Sequence, residues 1–505
     1  MLIISPDFRT PQLYSAHAFP HHYPRLTHLS QIDPPPRIGR LDRLPSVHAS
    51  THQINHNRES CLFTHDLLGW VPNDRRDKHL HFSPTGVDNQ TIQAAPYTTR
   101  IRIDTDNDNT TGQPMNSLNM TGAIIPPQGV DLLVELSPKN EQGSIGIGSS
   151  VSQFTPNGDL IQQGHADIGF AFLPTYAAES YEARIDRHGP GAQILQSSGP
   201  MNIVIDQVTQ QGAFRWSTSV NLNLPPLEPI AHTTLSLPIK PDSSARIMST
   251  NVLFSSPLTQ PDAFARVLSA ISPDVILYQE WFNTSPTAVQ NWLDTYAGKG
   301  WNLHMPSARD GVAIATKHKI IAQYDQVLPP SGEGRTARAV AALIQTDAGE
   351  ILAISVHLKC CGNAGSSEDI KRIKQAQTIN AFVQSVQIKH PNAKVVIAGD
   401  FNLVGSRIPL DTMAEGLGVD GSPLTPVKTL HIGDASMLTW NDEKSRFSPG
   451  RLDWMIYDES VSDAANAFVL DTRNLTPKTL SALGLHAEDS MSSDHLPIVL
   501  DLISE

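Results

Sequence analysis

The stretch Val395–Val404, VVIAGDFNLV, decides how the rest of this sequence is read. Apolar β-formers run into a glycine and stop at Asp400, Phe401 and Asn402. The pattern predicts a buried strand that delivers a carboxylate and an amide to its C-terminal edge. Alone it is weak, because turns are rich in Asp and Asn. Other blocks repeat the design. STNVL carries Asn251, VILYQE ends at Glu280, and ILAISVHLK carries His357. Downstream, RLDWMIY carries Asp453, and SSDHLPIVL carries Asp494 and His495. Each block is a β-rich apolar run with a polar residue at or near its end.

Taken in order, these residues resemble the endonuclease/exonuclease/phosphatase superfamily, the fold of pancreatic-type deoxyribonucleases, abasic-site endonucleases, inositol-polyphosphate 5-phosphatases and bacterial sphingomyelinases. The resemblance runs from about Arg246 to Leu502. It implies an α+β fold, the DNase I-like four-layer αββα sandwich, with the site at one end of the sheets. The segments between the blocks agree. PDAFARVLSAIS has apolar residues at helical spacing behind Pro261, and SSEDIKRIKQAQTINAFVQSVQ has a serine N-cap and acids in its first turn.

Hydrolysis of a phosphoester requires neutralised phosphate charge, an aligned water and a stabilised leaving oxygen. The resemblance implies how the residues divide this work. Glu280, Asn251 and Asp494 are the expected metal side, and oxygen ligands favour Mg²⁺ or Mn²⁺ over zinc. Asp400 is expected to orient or deprotonate the water, and Asn402 to donate to a phosphate oxygen. Asp453 is expected to pair with His495, fixing its tautomer. Either Asp400 or His495 serves as general base. His357 is expected at the phosphate or the leaving group, with Asp310 as a weaker candidate to orient it. Abasic-site endonucleases carry a tyrosine at the His357 position, which counts against that branch. Arg335 and Arg338 are candidates to reach a substrate phosphate.

The middle of the chain has a different texture. TTRIRID, GVDLLVEL, HADIGFAFL, YEARID and MNIVID are short β runs at sandwich-like intervals, separated by Gly, Pro, Asn and Asp. They predict an all-β sandwich over 61–240, with a weaker resemblance to family 9 carbohydrate-binding modules and hence a possible glycan partner. Asp104, Asp106 and Asp108 alternate, so their carboxylates are a candidate structural Ca²⁺ site. Asn109 and Met115 depart from the EF-hand pattern. The catalytic domain is expected over 241–505. Residues 1–60, with PHHYPR and DPPPR, read as a poorly ordered His- and Pro-rich extension.

Composition narrows the function less than the blocks do. The chain has 505 residues and a formal charge of −13, which disfavours sequence-independent nucleic-acid binding but leaves room for a local basic groove. There are three cysteines, Cys61, Cys360 and Cys361, without disulfide-framework or zinc spacing. The vicinal pair reads as two thiols, a local disulfide or a redox-sensitive loop. No run is long enough for a membrane helix, and the first residues do not read as a signal peptide. The expected activity is a metal-dependent phosphodiesterase acting on nucleic acid, a phospholipid head group or a small diester. The alternatives are a glycan- or surface-binding protein with a degenerate phosphoesterase fold, and an inositol-phosphate-type phosphomonoesterase.

Overall fold

A computed structural model describes residues 77–82, 90–114, 129–140, 143–186, 195, 198–224, 226, 236–327, 337–434 and 436–504. The expected extension over 1–60, together with Cys61, Met115 and Arg335, lies outside them. No helix among the described residues is long and apolar enough to cross a membrane.

From Ala245 onward the chain builds two large sheets. One has seven strands, ordered Asn302–His304, Ala313–Thr316, Val275–Gln279, Ala245–Asn251, Ile498–Ser504, Ser462–Val469 and Leu430–His431. The other has six, ordered Lys319–Tyr324, Ala339–Thr346, Gly349–His357, Lys394–Asp400, Asp453–Tyr457 and Thr425–Pro426. Both sheets are mixed. Ala245–Asn251 runs parallel to Val275–Gln279, and Gly349–His357 runs parallel to Lys394–Asp400, while most other neighbours are antiparallel.

The apolar runs are nearly continuous because both faces of each central strand are covered. Alternate residues such as Ile247, Leu277, Ala353, Val396, Met455 and Leu500 meet in the seam between the sheets. The remaining face of one sheet packs on helix Ser367–Gln387 through Ile379, Phe382 and Val383. On the other sheet, Met248, Ile276 and Val499 pack against helices Pro261–Ile271, Pro286–Trp292 and Pro477–Leu483. Helix, sheet, sheet, helix is the expected four-layer sandwich.

The described residues between 77 and 224 form antiparallel β-structure. A six-stranded sheet is ordered Phe214–Leu224, Gly199–Thr209, Tyr97–Asp104, Leu132–Leu136, Ser149–Phe154 and Leu160–Gln163. A three-stranded sheet holds Asp77–Phe82, Tyr181–Asp186 and Ala171–Leu173. Ile101, Ile103, Val134, Ile203, Phe172 and Tyr181 share one core. On the larger sheet, Arg102 is buried with Asp206, its guanidinium 2.8 Å from the carboxylate.

This β-rich region is tied to the C-terminal sheets by backbone. Ala177 N–H donates to Gly405 O at 2.7 Å, Phe172 N–H to Pro449 O at 3.2 Å, and Ser149 N–H to Arg446 O at 2.7 Å. Arg184 pairs with Asp434 at 2.8 Å.

Gly399 places Asp400. Its φ is 149°, and a Cβ there would lie 1.9 Å from Val356 O in the neighbouring strand. Only glycine lets the two strands approach at this point. Gly399→Ala is expected to cost about 2 kcal/mol or more, read as a lowered urea unfolding midpoint. An unchanged midpoint would show that the strands part without cost.

Candidate active site

Seam-facing positions turn polar at the strand ends. Val396 and Ala398 face the seam, and the next residue of that set is Asp400. Ala353 is followed in the same way by Ser355 and His357. The register pairs His357 with Asp400, and Asp400 with Asp453, so three titratable side chains stand in one row. From the facing sheet, Asn251 closes its strand beside Gln279, and Glu280 follows directly. The turns here are strained. Glu280 has φ 68°, Asn402 has φ 48°, and Leu253, Phe254 and Ser255 are also left-handed.

Asp400 is the centre. Its Oδ1 accepts from Asn402 N–H at 2.9 Å, and its Oδ2 accepts from Asn402 Nδ2 at 2.8 Å. Burial, with Asp453 and Glu280 nearby, outweighs the opposing pull of His495 and raises its pKa to about 8. Two histidines face Asp400 Oδ2, His357 Nε2 at 3.5 Å and His495 Nε2 at 3.9 Å.

The two imidazoles are in opposite electrostatic situations. Burial, seconded by the Arg338 cation, pushes His357 down to about 3. Arg338 Nη1 lies 3.4 Å from His357 Nδ1. Because a guanidinium only donates, this contact leaves the His357 proton on Nε2. Burial would also lower His495, but Asp453 and Asp400 outweigh it and raise the group to about 10. Asp453 Oδ2 is 2.8 Å from His495 Nδ1. The expected Asp453–His495 contact is therefore present in the structure. The neighbour of His357 Nδ1 is Arg338, where Asp310 was the weaker expectation; Asp310 lines the same cleft.

The metal-side expectation is only partly assembled. Glu280, His357 and Asp400 each bring one ligand atom within 4.8 Å of the others. Asn251 is beside them but presents its nitrogen. Its Oδ1 accepts from Leu253 N–H at 3.0 Å, which leaves Nδ2 facing Glu280 Oε1 at 3.2 Å and Asp400 Oδ2 at 3.4 Å. In this arrangement it steadies the carboxylates and offers no oxygen to a cation. Asp494 does not join the group; its Oδ2 accepts from Trp440 Nε1 at 2.9 Å, and its buried Oδ1 has no hydrogen-bond partner. Asn402 also differs from expectation. Its amide donates to Asp400 and to Leu358 O at 3.3 Å, so it positions Asp400.

The site opens into a cleft of about 1080 Å³. Phe254, Phe282, Trp440 and Phe447 line it, with Lys359, Lys371, Lys374 and Arg338. The lysine cluster escaped the sequence reading. Lys371 and Lys374 are spaced to share a face of helix Ser367–Gln387, but nothing in the sequence says that this face meets the cleft. Cys360 and Cys361 are free, exposed and on the cleft wall, with their sulfurs 2.9 Å apart.

Another part of the wall comes from the β-rich region, through Thr91, Gln93 and Ile147. Thr91 Oγ1 donates to Val404 O at 2.9 Å and accepts from Ala364 N–H at 3.2 Å. Gln93 Oε1 accepts from Ser448 N–H at 3.0 Å.

Comparison with known proteins agrees with this architecture. Residues 248–495 match the model of the Endonuclease/Exonuclease/phosphatase family, as the ordered blocks of the C-terminal region lead one to expect. Its name describes hydrolases of phosphoester bonds. Among solved structures, a 3'-5' exonuclease from Neisseria meningitidis is similar at 16% identity, covering 51% of this chain and 99% of its own, with a TM-score of 0.36. A sphingomyelinase C from Streptomyces griseocarneus shows 14% identity, 51% and 99% coverage and a TM-score of 0.34. The human Nocturnin catalytic domain shows 17%, 53% and 97%, with a TM-score of 0.34. No curated protein sequence matches the chain.

Removing the charge of Asp453 tests the histidine pair. In Asp453→Asn only Asp400 and Asp494 still oppose burial, and His495 is expected to titrate well below about 10, measured by NMR. The group is raised in the folded state. The stability that Asp453 confers should therefore be complete below about pH 6.5 and fade as pH rises through the folded value. An unchanged His495 titration would remove Asp453 as the cause.

Proposed function

We propose that this protein is a metal-dependent phosphodiesterase in which water attacks in line. One observation carries the reading: a buried carboxyl, Asp400, lies between a neutral histidine and a charged one. A binding scaffold has no need to hold two adjacent imidazoles in opposite protonation states. An enzyme that sets two phosphoryl-oxygen donors around a carboxylate able to take a proton from water does.

The residues present fit a hard divalent cation. Burial and the crowding of Asp453 and Glu280 lift Asp400 to about 8, the response of acids gathered without enough positive charge. Glu280 and Asp400 would hold the ion, and their oxygen donors suit Mg²⁺ or Mn²⁺. When bound, it supplies positive charge for the phosphoryl and leaving oxygens.

The chain's own groups do the rest. Asp400, gripped by Asn402, takes the proton of the attacking water in its ionised form, which the neighbouring His495 imidazolium favours. His495 presents Nε2–H as a cationic donor to a phosphoryl oxygen, because Asp453 engages Nδ1. His357 presents a neutral Nε2–H to another oxygen, its tautomer fixed by Arg338. Asn251 keeps Glu280 and Asp400 from swinging apart.

The lining of the cleft favours a substrate with several negative charges and a stackable group. Single-stranded oligonucleotide is the leading class, since bases stack on aromatic walls while lysines follow phosphates. The same lysines would repel the quaternary cation of a choline head group. The β-rich wall at Thr91, Gln93 and Ile147 makes that region part of substrate selection in this reading.

Purified protein should hydrolyse bis(p-nitrophenyl) phosphate, lose the activity in EDTA and regain it with Mg²⁺ or Mn²⁺. Asp400→Asn and His495→Ala should each lower kcat by about 100-fold or more. No hydrolysis with any metal would return the reading to a binding role, with glycan binding tested next. Lys371→Ala with Lys374→Ala should raise KM for a single-stranded oligonucleotide and flatten its salt dependence by about 0.7 in log–log slope per lost contact. The same pair should leave the small diester nearly unchanged. Equal effects on both substrates would take the lysines out of substrate binding.

A further inference from the structure

Apart from the residues that line the cleft, three carboxylates converge at the end of strand Tyr97–Asp104. Asp104, Asp106 and Asp131 each offer an oxygen within 4.8 Å of the others. Sequence alternation pointed to Asp108 as the third member, but Asp108 Oδ1 accepts from Thr110 N–H at 2.9 Å and from Thr110 Oγ1 at 2.7 Å. Asp131 takes its place from the segment between strands Gly129–Val130 and Leu132–Leu136.

The cluster is built, not a chance gathering of surface acids. Asp104 is only 2% exposed, and its Oδ1 has no hydrogen-bond partner. An isolated buried carboxylate oxygen is costly. Asp131 is half-buried, its Oδ2 held by Thr105 N–H at 2.8 Å and Thr105 Oγ1 at 2.7 Å. Asp106 is exposed and fixed by Asp108 N–H at 2.9 Å and Thr111 Oγ1 at 3.0 Å. The backbone leaves no slack. A Cβ on Gly112 would lie 2.8 Å from Asp131 Oδ1, and one on Gly129 would lie 1.8 Å from Thr111 O. The groups that act on Asp104 are mainly acids. Burial raises it to about 6, with Asp131 and Asp106 pushing the same way. Burial also raises Asp131.

We propose that Asp104, Asp106 and Asp131 bind a single Ca²⁺ ion, which fastens the loop after strand Tyr97–Asp104 to the neighbouring strand. Buried Asp104 closes the site from within, and exposed Asp106 admits the ion. A set of oxygen donors with no nitrogen or sulfur favours a hard cation, and a cage of protein carboxylates suits Ca²⁺ better than Mg²⁺, which gives up its waters reluctantly. The ion stabilises the β-rich region and takes no part in hydrolysis.

The test is thermal unfolding and Ca²⁺ titration calorimetry on the full chain, for the parent and for Asp104→Asn, Asp131→Asn and Asp108→Asn. CaCl₂ should raise the unfolding temperature of the parent over its value in EDTA. Asp104→Asn and Asp131→Asn should lose that rise and weaken one Ca²⁺ binding event by at least about tenfold, while Asp108→Asn keeps both. A sign reversal separates ligand loss from general damage. In EDTA, Asp104→Asn should be at least as stable as the parent, because it removes like-charge repulsion, and in Ca²⁺ it should be less stable. Calcium occupying only the cleft would shift the parent and Asp104→Asn alike, and that result would overturn the assignment. Absence of any Ca²⁺ shift in the parent would overturn it as well.

Discussion

The structure depends on how much charge can be buried at the mouth of an apolar seam. Glu280, Asp400 and Asp453 are brought together with His357 and His495 where two hydrophobic sheets end. Each unpaired buried charge would cost several kcal/mol. The surroundings offset that cost locally. Asp453 takes the His495 imidazolium at 2.8 Å, the Asn402 amide and backbone hold Asp400, and Asn251 bridges Glu280 and Asp400. What remains is an excess of negative charge on Asp400 and Glu280, and the proposed cation answers that excess. The proposed cation and the fold are, in this view, one problem in electrostatics.

The frame for these charges is rigid because it is a register. A slip of one residue in strand Lys394–Asp400 would turn Asp400 away from the seam and point Gly399 into it. The close approach of Gly399 to Val356 O and the parallel pairing of His357 with Asp400 prevent that slip. Left-handed backbone at Glu280 and Asn402 adds strain that the packed sheets around it sustain.

Much of this was legible in the chain because each polar residue borders an apolar run, Glu280, His357 and Asp400 closing theirs and Asp453 and His495 opening theirs. Glu280, His357, Asp400, Asp453 and His495 could each be located at the edge of such a run, and the resemblance carried by their order implied the two-sheet architecture. The unread parts are contacts between distant segments. Arg338 sits on His357 through adjacent strands, and neither residue advertises the other. Asn251 shows its nitrogen because Leu253 N–H takes its oxygen, a turn geometry that residue type does not encode. Asp494 is diverted by Trp440, from a segment 54 positions away. Lys371 and Lys374 look like an ordinary solvated helix face until the cleft is seen beside them. In the β-rich region, Asp131 displaced Asp108 because proximity along the chain is a poor guide to proximity across a loop.

Strand order carries a consequence for how the protein is made. Ala245–Asn251, the first strand of the C-terminal sheets, lies between Val275–Gln279 and Ile498–Ser504, the last strand of the chain. During synthesis the early strand therefore waits for a partner about 250 residues downstream, while its hydrophobic edge stays open. Residues that form the row at the mouth of the seam emerge one after another, and His495 is among the last. A ribosome-bound chain shortened before Ile498 would hold nearly every group of the site without the strand that brings them together. Until that strand pairs, the open edge of Ala245–Asn251 is exposed to the non-native pairing through which such chains aggregate.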